Sequence, residues 1–344
     1  MTGDKLRVVA VTCAKNEGPF ILEWIAYHRL IGFTDIVTFT NDCDDGTDDL
    51  LDRLDEMGLI RHLPNPRILN DKLRFQAAAL RYASELREVR NADWRLSFDS
   101  DEFVNVTLGN GHVEDLVANS PDAQLISICQ LQFGCAHRDA YERGLSIEQF
   151  TLHQSHTPAE GTKQRRDLER GLKTFIRADA PVVQWNNHLA DLDPFRMQDT
   201  LWVYGQNRRA PEIVYQGNSK SLPAEGCYEV GQLNHYATRS RESFLAQSYR
   251  GNAVKPHTQA DVKYWKRYNH NAECGSEITR YVPALRALLD EWLSDAELRR
   301  RQDVCEARHR TLIEKLKADP DYRRLYDRVT RLDQAQQAEK EPAE

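Results

Sequence analysis

Over its first 133 residues the chain alternates short apolar runs with amphipathic stretches, and this alternation limits the fold more than any other feature. Leu6 to Thr12 reads as a buried strand. Pro19 stands where the first turn of a helix tolerates it. Phe20, Trp24, Tyr27 and Ile31 then follow at spacings of 4, 3 and 4, the apolar stripe of one helix face, and Gly32 closes it. Asp35 to Thr40 is a second strand. Residues 41–49 form a loop and helix start, and Leu50, Leu54 and Met57 carry that helix to Gly58. Leu59 to Leu63 is a third strand. After Pro64 and Pro66, the stripe Phe75, Ala79, Tyr82, Leu86 and Val89 predicts one helix. Trp94 to Phe98 is a fourth strand, followed by a helix near 112–119 and a strand from Leu125 to Phe133. Strands joined by short helical connections predict an α/β fold, a mostly parallel sheet with helices on both faces.

After residue 134 the pattern loosens. Residues 135–170 read as polar loop with a short helix near Ile147. Strands are expected at 172–177, 200–204 and 212–215, and 217–227 as loop. The chain turns helical from about 239, with one or two long charged helices over 280–318. A chain of 344 residues suggests one large domain with additions, or two small ones. The expected division is a domain over 1–250, with halves 1–133 and 134–250, a helical C-terminal extension over 251–330, and a disordered tail over 331–344.

Composition excludes several classes. Apolar residues are 40% and charged residues 29%, ordinary for a globular protein. No run approaches the roughly 20 apolar residues of a membrane helix, and MTGDKLRVVAVTC lacks the apolar core of a secretory signal. A net charge of −7 argues against nucleic acid as partner. Seven cysteines without a C-x-x-C pair suggest neither a zinc cage nor a disulfide framework, and fit a reducing cytoplasm.

In an open parallel sheet, ligands bind outside the carboxyl ends of the strands. The first strand delivers Thr12 to Glu17 there, the second Asn41, Asp42, Asp44 and Asp45, and the fourth Asp99, Asp101 and Glu102. So many carboxylates at one rim are costly unless a cation compensates. Asp99 and Asp101 flank one residue directly after an apolar strand, so their side chains point the same way in extended chain. Two such carboxylates suit Mg²⁺ or Mn²⁺, which would also bind a diphosphate. A solvated turn is the alternative.

The segments VVAVTCAKNEGPFILEWIAYH, NDCDDGTDDLLDRL and DWRLSFDSDEF resemble the nucleotide-sugar glycosyltransferases of the GT-A fold. The resemblance is to the bacterial family 2-like group and the related family 92-like enzymes, with K-N-E after the first strand and D-x-D-E-F after the fourth. It covers residues 6–135 well and HYATRSRESF at 235–244 less fully. It implies a GT-A-like (Rossmann-like) domain and a metal-dependent transfer of sugar, with inversion, from a nucleotide-diphosphate sugar, a UDP-sugar, to a saccharide or other hydroxyl acceptor such as a surface-polysaccharide precursor. Thr12, Asn16 and Glu17 would meet the base and ribose. Asn41 and Asp42 would face the uracil, although this loop departs from the usual two-acid beginning. Lys72 would touch base or diphosphate, or stand as a surface charge. Asp99, with Ser100 and Asp101, would hold Mn²⁺ or Mg²⁺ and through it the diphosphate. His235 would complete the metal shell, or be a buried histidine at a strand end, and Arg239 and Arg241 would meet the diphosphate. For the base that takes the acceptor proton, LKTFIRADAPVVQWNNHLADLD offers Asp191 first, with His188 beside it; Asp139 and Glu142 are alternatives.

Two other classes compete. A nucleotidyltransferase usually opens with a Gly-rich basic loop, whereas CAKNEGPF holds one glycine. A non-catalytic carbohydrate-binding protein of this fold would be expected to lose the aspartate pair, and both are present. Peripheral membrane contact through Arg299 to Arg301 is weakened by the acids at 295, 297, 303 and 306 that interleave with it.

Overall fold

The computed structural model describes residues 5–69, 72–250 and 261–338. The strands among them are β1 (Val8–Ala14), β2 (Asp35–Thr40), β3 (Arg61–Pro64), β4 (Trp94–Ser97), β5 (Glu102–Val106), β6 (Leu125–Gln132), β7 (Leu152–His153), β8 (Glu169–Arg177), β9 (Val182–Trp185), β10 (Ala190–Leu192), β11 (Trp202–Tyr204), β12 (Arg208–Arg209), β13 (Ser221–Pro223), β14 (Gly231–His235) and β15 (Glu273–Cys274). The helices are α1 (Gly18–Leu30), α2 (Thr47–Glu56), α3 (Phe75–Ala83), α4 (Arg87–Arg90), α5 (Val113–Ala118), α6 (Ser146–Gln149), α7 (Arg165–Leu168), α8 (Glu212–Tyr215), α9 (Arg241–Arg250), α10 (Val262–Tyr268), α11 (Val282–Trp292), α12 (Ala296–Ala318) and α13 (Pro320–Ala338).

The α/β, GT-A-like layout is the one found. The main sheet runs β12-β11-β6-β8-β4-β1-β2-β3. β1 pairs in parallel with β2 and β4, β2 with β3, and β6 with β11. β8 is inserted antiparallel between β4 and β6, and β12 lies antiparallel to β11 at the edge. β1 is apolar on both faces, as a central strand covered on both sides must be. Val8 and Ala10 belong to the layer under α1, while Val9 and Val11 belong to the opposite layer with Ala79 and Leu80 of α3.

Beyond β4 the chain leaves this sheet. It turns through Asp99–Asp101, closed by the Glu102 N–H donating to the Asp99 carbonyl at 3.0 Å. It continues as β5, which pairs antiparallel with β14, and β14 also lies parallel to β6. The acid turn therefore sits at a corner between two ladders. From α1, the Trp24 indole donates to the Glu102 carbonyl at 2.7 Å and the Tyr27 hydroxyl to that of Val104 at 2.7 Å, holding the corner from below.

Several expectations are corrected. Residues 212–215 are the single helical turn α8, begun after Pro211, not a strand. The stripe from Phe75 to Val89 is two helices, parted where the Ser84 hydroxyl donates back to the Leu80 carbonyl at 2.9 Å. The tail expected from 331 is helical to Ala338, and 339–344 lie outside the described residues. β5, β14 and the β9–β10 hairpin carry no apolar alternation strong enough to announce them.

The C-terminal helices pack on the sheet domain. α11 and α12 lie against α1, and α12 also covers α2 and α9. The approach is close at Gly18, where a Cβ would stand 2.6 Å from the Cys305 Sγ. Arg300 and Arg301 of the basic run pair with Glu297. Among the described residues no helix is long and apolar enough to cross a membrane.

α13 is anchored by Asp333, whose side chain is fully buried. Its oxygens accept from Arg241 at 2.7 Å, from the His137 Nδ1 at 3.0 Å and from the Cys135 thiol at 3.3 Å. Asp333→Ala is expected to cost about 2 kcal/mol, since Arg241 keeps Asp139 as a partner. Urea unfolding measures the loss, and proteolysis starting within α13 localises it. Wild-type values in both would remove the anchoring role.

Candidate active site

The site begins with the corner. Phe98, 1% exposed, packs on Trp24 with ring centroids 4.9 Å apart and fixes where the following turn emerges. Asp99 comes next, and both its oxygens are engaged. Oδ2 accepts from the Lys173 ammonium at 2.9 Å, and Oδ1 from Gln76 at 2.9 Å and Asn187 at 3.3 Å. Lys173 is fully buried and also lies 3.4 Å from Glu102, itself fully buried. Burial raises the Asp99 pKa, but Lys173 outweighs it and holds the group below the ordinary carboxylate range. For Glu102 burial wins and the pKa is raised. For Lys173 burial works downward, but the two acids raise the net value. The ammonium is the cation that lets β4 deliver acids to one rim.

Asp101 has a different partner. His235, the last residue of β14, brings its Nε2 to 3.5 Å from the Asp101 Oδ2. The Tyr236 N–H donates to the Asp101 carbonyl at 2.8 Å, which fixes the pairing. Burial would raise the Asp101 pKa; His235 reverses this and holds it well below the usual range. The His235 Nδ1 is buried and has no hydrogen-bond partner among the described residues.

These groups form the floor of an open cleft of about 740 Å³. Cys13, Glu17 and Gln76 line one side. Lys220, Arg250, Lys263 and Arg267 bring positive charge, and Tyr264 and Tyr268 form an aromatic wall with centroids 4.5 Å apart. Glu17 is buried and pairs with Arg239, at 3.0 Å, and Arg250. Arg250 also donates to the carbonyls of Lys15, at 2.9 Å, and Asn16, at 2.8 Å. A second cavity of about 440 Å³ shares Gln247 and Arg250 with this cleft and is lined also by Asn16, Asp44, Arg239 and Arg308.

Of the residues expected from sequence, Glu17, Asp99, Ser100, Asp101, His188 and His235 line the cleft, and Asn16 and Arg239 line the adjoining cavity. The others do not reach it. Thr12 is 2% exposed; strand alternation turns it away and presents Cys13 instead. Asn41 and Asp42 bond to each other at 3.1 Å on the β2 loop, outside the lining. Asp45, by contrast, is structural: it caps Thr47 and accepts from the Gly18 N–H at 3.0 Å, tying α2 to α1. Lys72 is exposed before α3.

The expected base Asp191 lies outside the cleft lining. It faces outward on β10 because Ala190 and Leu192 on either side face the core. His188 does line the cleft. Its Nδ1 donates to the Leu172 carbonyl at 3.0 Å, which leaves Nε2 as acceptor, and burial with the nearby Lys173 pushes its pKa down to about 4. Asp139 is held by Arg241 at 2.9 Å and by Tyr326, and Glu142 by Arg138, away from the cleft. Arg241 turns to Asp139 and Asp333 rather than to the cleft. Lys173 is the residue that sequence reasoning missed; its signal is a lone lysine at an inward position of the apolar strand LKTFIR. Arg250 and the tyrosine wall had no such signal.

A mixed sheet whose parallel strands deliver acids to a cation-lined cleft defines an α/β protein of the GT-A kind. The model of glycosyltransferase family 92 matches residues 11–200, more than half the chain. The chain belongs to that family of glycosyltransferases. A family 92 glycosyltransferase of Ricinus communis is 31% identical over 138 residues, which are 36% of this chain and 23% of the relative. The matched part thus spans about a quarter of that relative's length. Among solved structures, TarS of S. aureus is similar at 11% identity and a TM-score of 0.33, over 70% of this chain and 38% of that one. Mannosyl-3-phosphoglycerate synthase of Rubrobacter xylanophilus has 15% identity and a TM-score of 0.28, over 47% and 44% of the two chains. The galactosyltransferase LgtC has 14% and 0.29, over 82% and 95%. Likenesses of that size add nothing to what the family match and the geometry carry.

Proposed function

We propose that the cleft binds a nucleotide-diphosphate sugar and transfers its sugar to an acceptor hydroxyl. The observation that carries this is the pairing of the Asp101–His235 floor with the cations Lys220, Arg250, Lys263 and Arg267 around one opening. Acids with facing cations match a diphosphate that brings its own divalent ion. Asp101 and His235 fit such an ion. Among the described residues the Asp101 carboxylate has no hydrogen-bond partner besides the His235 Nε2, at 3.5 Å, a separation that two ligands of one ion can take. Mg²⁺ and Mn²⁺ sites commonly combine one or two protein ligands with substrate phosphates. Lys173, Gln76 and Asn187 already engage the Asp99 oxygens, so in this reading the ion rests first on Asp101 and His235. When bound, the ion would supply Lewis-acid stabilisation of the leaving diphosphate.

The chain's own residues do the rest. Arg250, held by Glu17, stands ready to meet phosphate charge. Tyr264 and Tyr268 offer a face on which a base or sugar ring can stack. Asp99, fixed by three donors, shapes the floor. His188 takes the place of Asp191 as the group aimed at the acceptor proton; an anionic donor in the cleft would raise its low pKa toward useful range. A UDP-sugar donor and inversion at the anomeric carbon complete the reading.

Calorimetric titration with UDP and with GDP, each with and without Mn²⁺, tests it. UDP is expected to bind more tightly, and more so with Mn²⁺. Equal or absent binding of both overturns the uridine assignment. Turnover is then followed over a panel of nucleotide sugars, with the product anomer read by NMR. No turnover on any donor would leave a non-catalytic carbohydrate-binding protein.

A further inference from the structure

A second group of metal-binding side chains lies away from the cleft. β7 and β15 form a two-stranded antiparallel ribbon in which His153 stands directly opposite Glu273. Residues directly opposite on an antiparallel pair share a face. His156, three residues on, folds back over the same face. One donor atom from each of His153, His156 and Glu273 can be chosen so that all lie within 4.8 Å of one another.

The nitrogens not needed for an ion are already accounted for. His153 donates from Nδ1 to the Gln154 carbonyl at 2.6 Å, which fixes the tautomer and leaves the Nε2 lone pair free. That ring is 1% exposed and packed against Phe133, with centroids 5.1 Å apart, so its direction is set. His156 turns Nε2 toward the Gln232 amide oxygen at 3.3 Å and Nδ1 toward the Glu273 Oε2 at 3.2 Å. Metal-bound histidines almost always donate their second ring nitrogen to a carbonyl or carboxylate, which orients the ring. Both histidines here have that partner before any ion is added.

There is also room. Gly275 borders the His153 Nε2 so closely that a Cβ there would stand 2.6 Å from it. The same point lies 2.7 Å from the His153 Cδ2 and 3.3 Å from the Glu277 Oε2, so the glycine lets the chain pass close to the ring and keeps a further oxygen near it. His156 and Glu277 also line a cavity of about 780 Å³, through which an ion can enter.

The geometry points to a site for a borderline divalent transition ion such as Zn²⁺, held by the His153 Nε2, the His156 Nδ1 and Glu273, with Glu277 or water completing the shell. Two imidazoles and a carboxylate suit Zn²⁺, whereas Mg²⁺, Mn²⁺ and Ca²⁺ prefer oxygen sets. The ion would tie the 152–156 segment beside β6 to the 273–277 segment that leads into α11. It is independent of the proposed transfer and of the Asp101–His235 pair.

The test uses the full chain, stripped with a chelator and dialysed. Zn²⁺ is titrated by calorimetry, and Co²⁺ is used as a coloured substitute whose visible band reports nitrogen ligation. A single saturable site is expected. His156→Ala and Glu273→Gln, both at partly exposed positions, should weaken it at least roughly 100-fold with unchanged far-UV circular dichroism. Gly275→Ala should weaken it too, because a Cβ there would press on the His153 ring and shift Nε2. Asp101→Asn should leave this site in place. The assignment is overturned if no saturable Zn²⁺ binding is found, if the ligand variants bind like wild type, or if Asp101→Asn abolishes the binding.

Discussion

Lys173→Met is expected to destabilise the fold by about 3–5 kcal/mol at neutral pH, the usual cost of removing one partner from a buried ion pair. The ammonium is fully buried and lies 2.9 Å from Asp99 and 3.4 Å from Glu102. Methionine has similar length and fills the same space, so the loss reports charge rather than volume. Without the cation, two carboxylates share one corner. Glu102, fully buried and already raised in pKa by burial, would be raised further. A carboxylate whose folded pKa exceeds its unfolded value stabilises the protein below the unfolded pKa and loses that contribution as pH rises through the folded one. The deficit of the variant should therefore shrink as pH falls from 7 toward the ordinary glutamate range. Urea unfolding at pH 7 and pH 5 measures both. A deficit under about 1 kcal/mol, or one that does not change with pH, would show that Lys173 is a spectator.

Asp101→Asn is expected to lower turnover by roughly 10²-fold or more, equivalent to about 2.7 kcal/mol of transition-state stabilisation. Asparagine keeps the shape and removes the charge that an ion needs. Stability should change little, by about 1 kcal/mol, because among the described residues the Asp101 carboxylate pairs with His235 alone, at 3.5 Å, and its backbone carbonyl keeps the Tyr236 N–H. Asp99 is a poorer probe, since its replacement would also strand Lys173. Turnover and melting temperature, each with and without Mn²⁺, separate the two effects. Normal turnover in the variant, together with indifference of the wild type to chelator, would sink the metal-assisted reading.

Much of the sheet half was legible in the sequence because local periodicity is enough there. β1, β2, β4 and β6 are apolar runs long enough to be buried on both faces. The stripe of α1 specifies one helix and the face it buries. Asp99 and Asp101 could be placed at the sheet rim because they follow an apolar strand directly. Two residues apart, they read in the sequence as one pair. The turn that closes at Glu102 gives them different protein partners, Lys173 for Asp99 and His235 for Asp101.

The base candidate Asp191 shows the same limit. Which way a residue on a short strand faces depends on which neighbours find the core, and Ala190 and Leu192 decide it here. Nothing local to Asp191 carries that information.

By itself, then, the sequence determined the α/β class, the order of the central elements and the acid-bearing strand ends. These follow from period, apolar content and chain direction, all of which act over a few residues. The tertiary structure decided the charge balance of the site. Lys173 meets Asp99 across 74 positions, and His235 meets Asp101 across 134. β14 reaches the corner by pairing with both β5 and β6. Such meetings depend on strand order and register, and electrostatic partners buried at a ladder corner are set by that geometry, not by spacing along the chain.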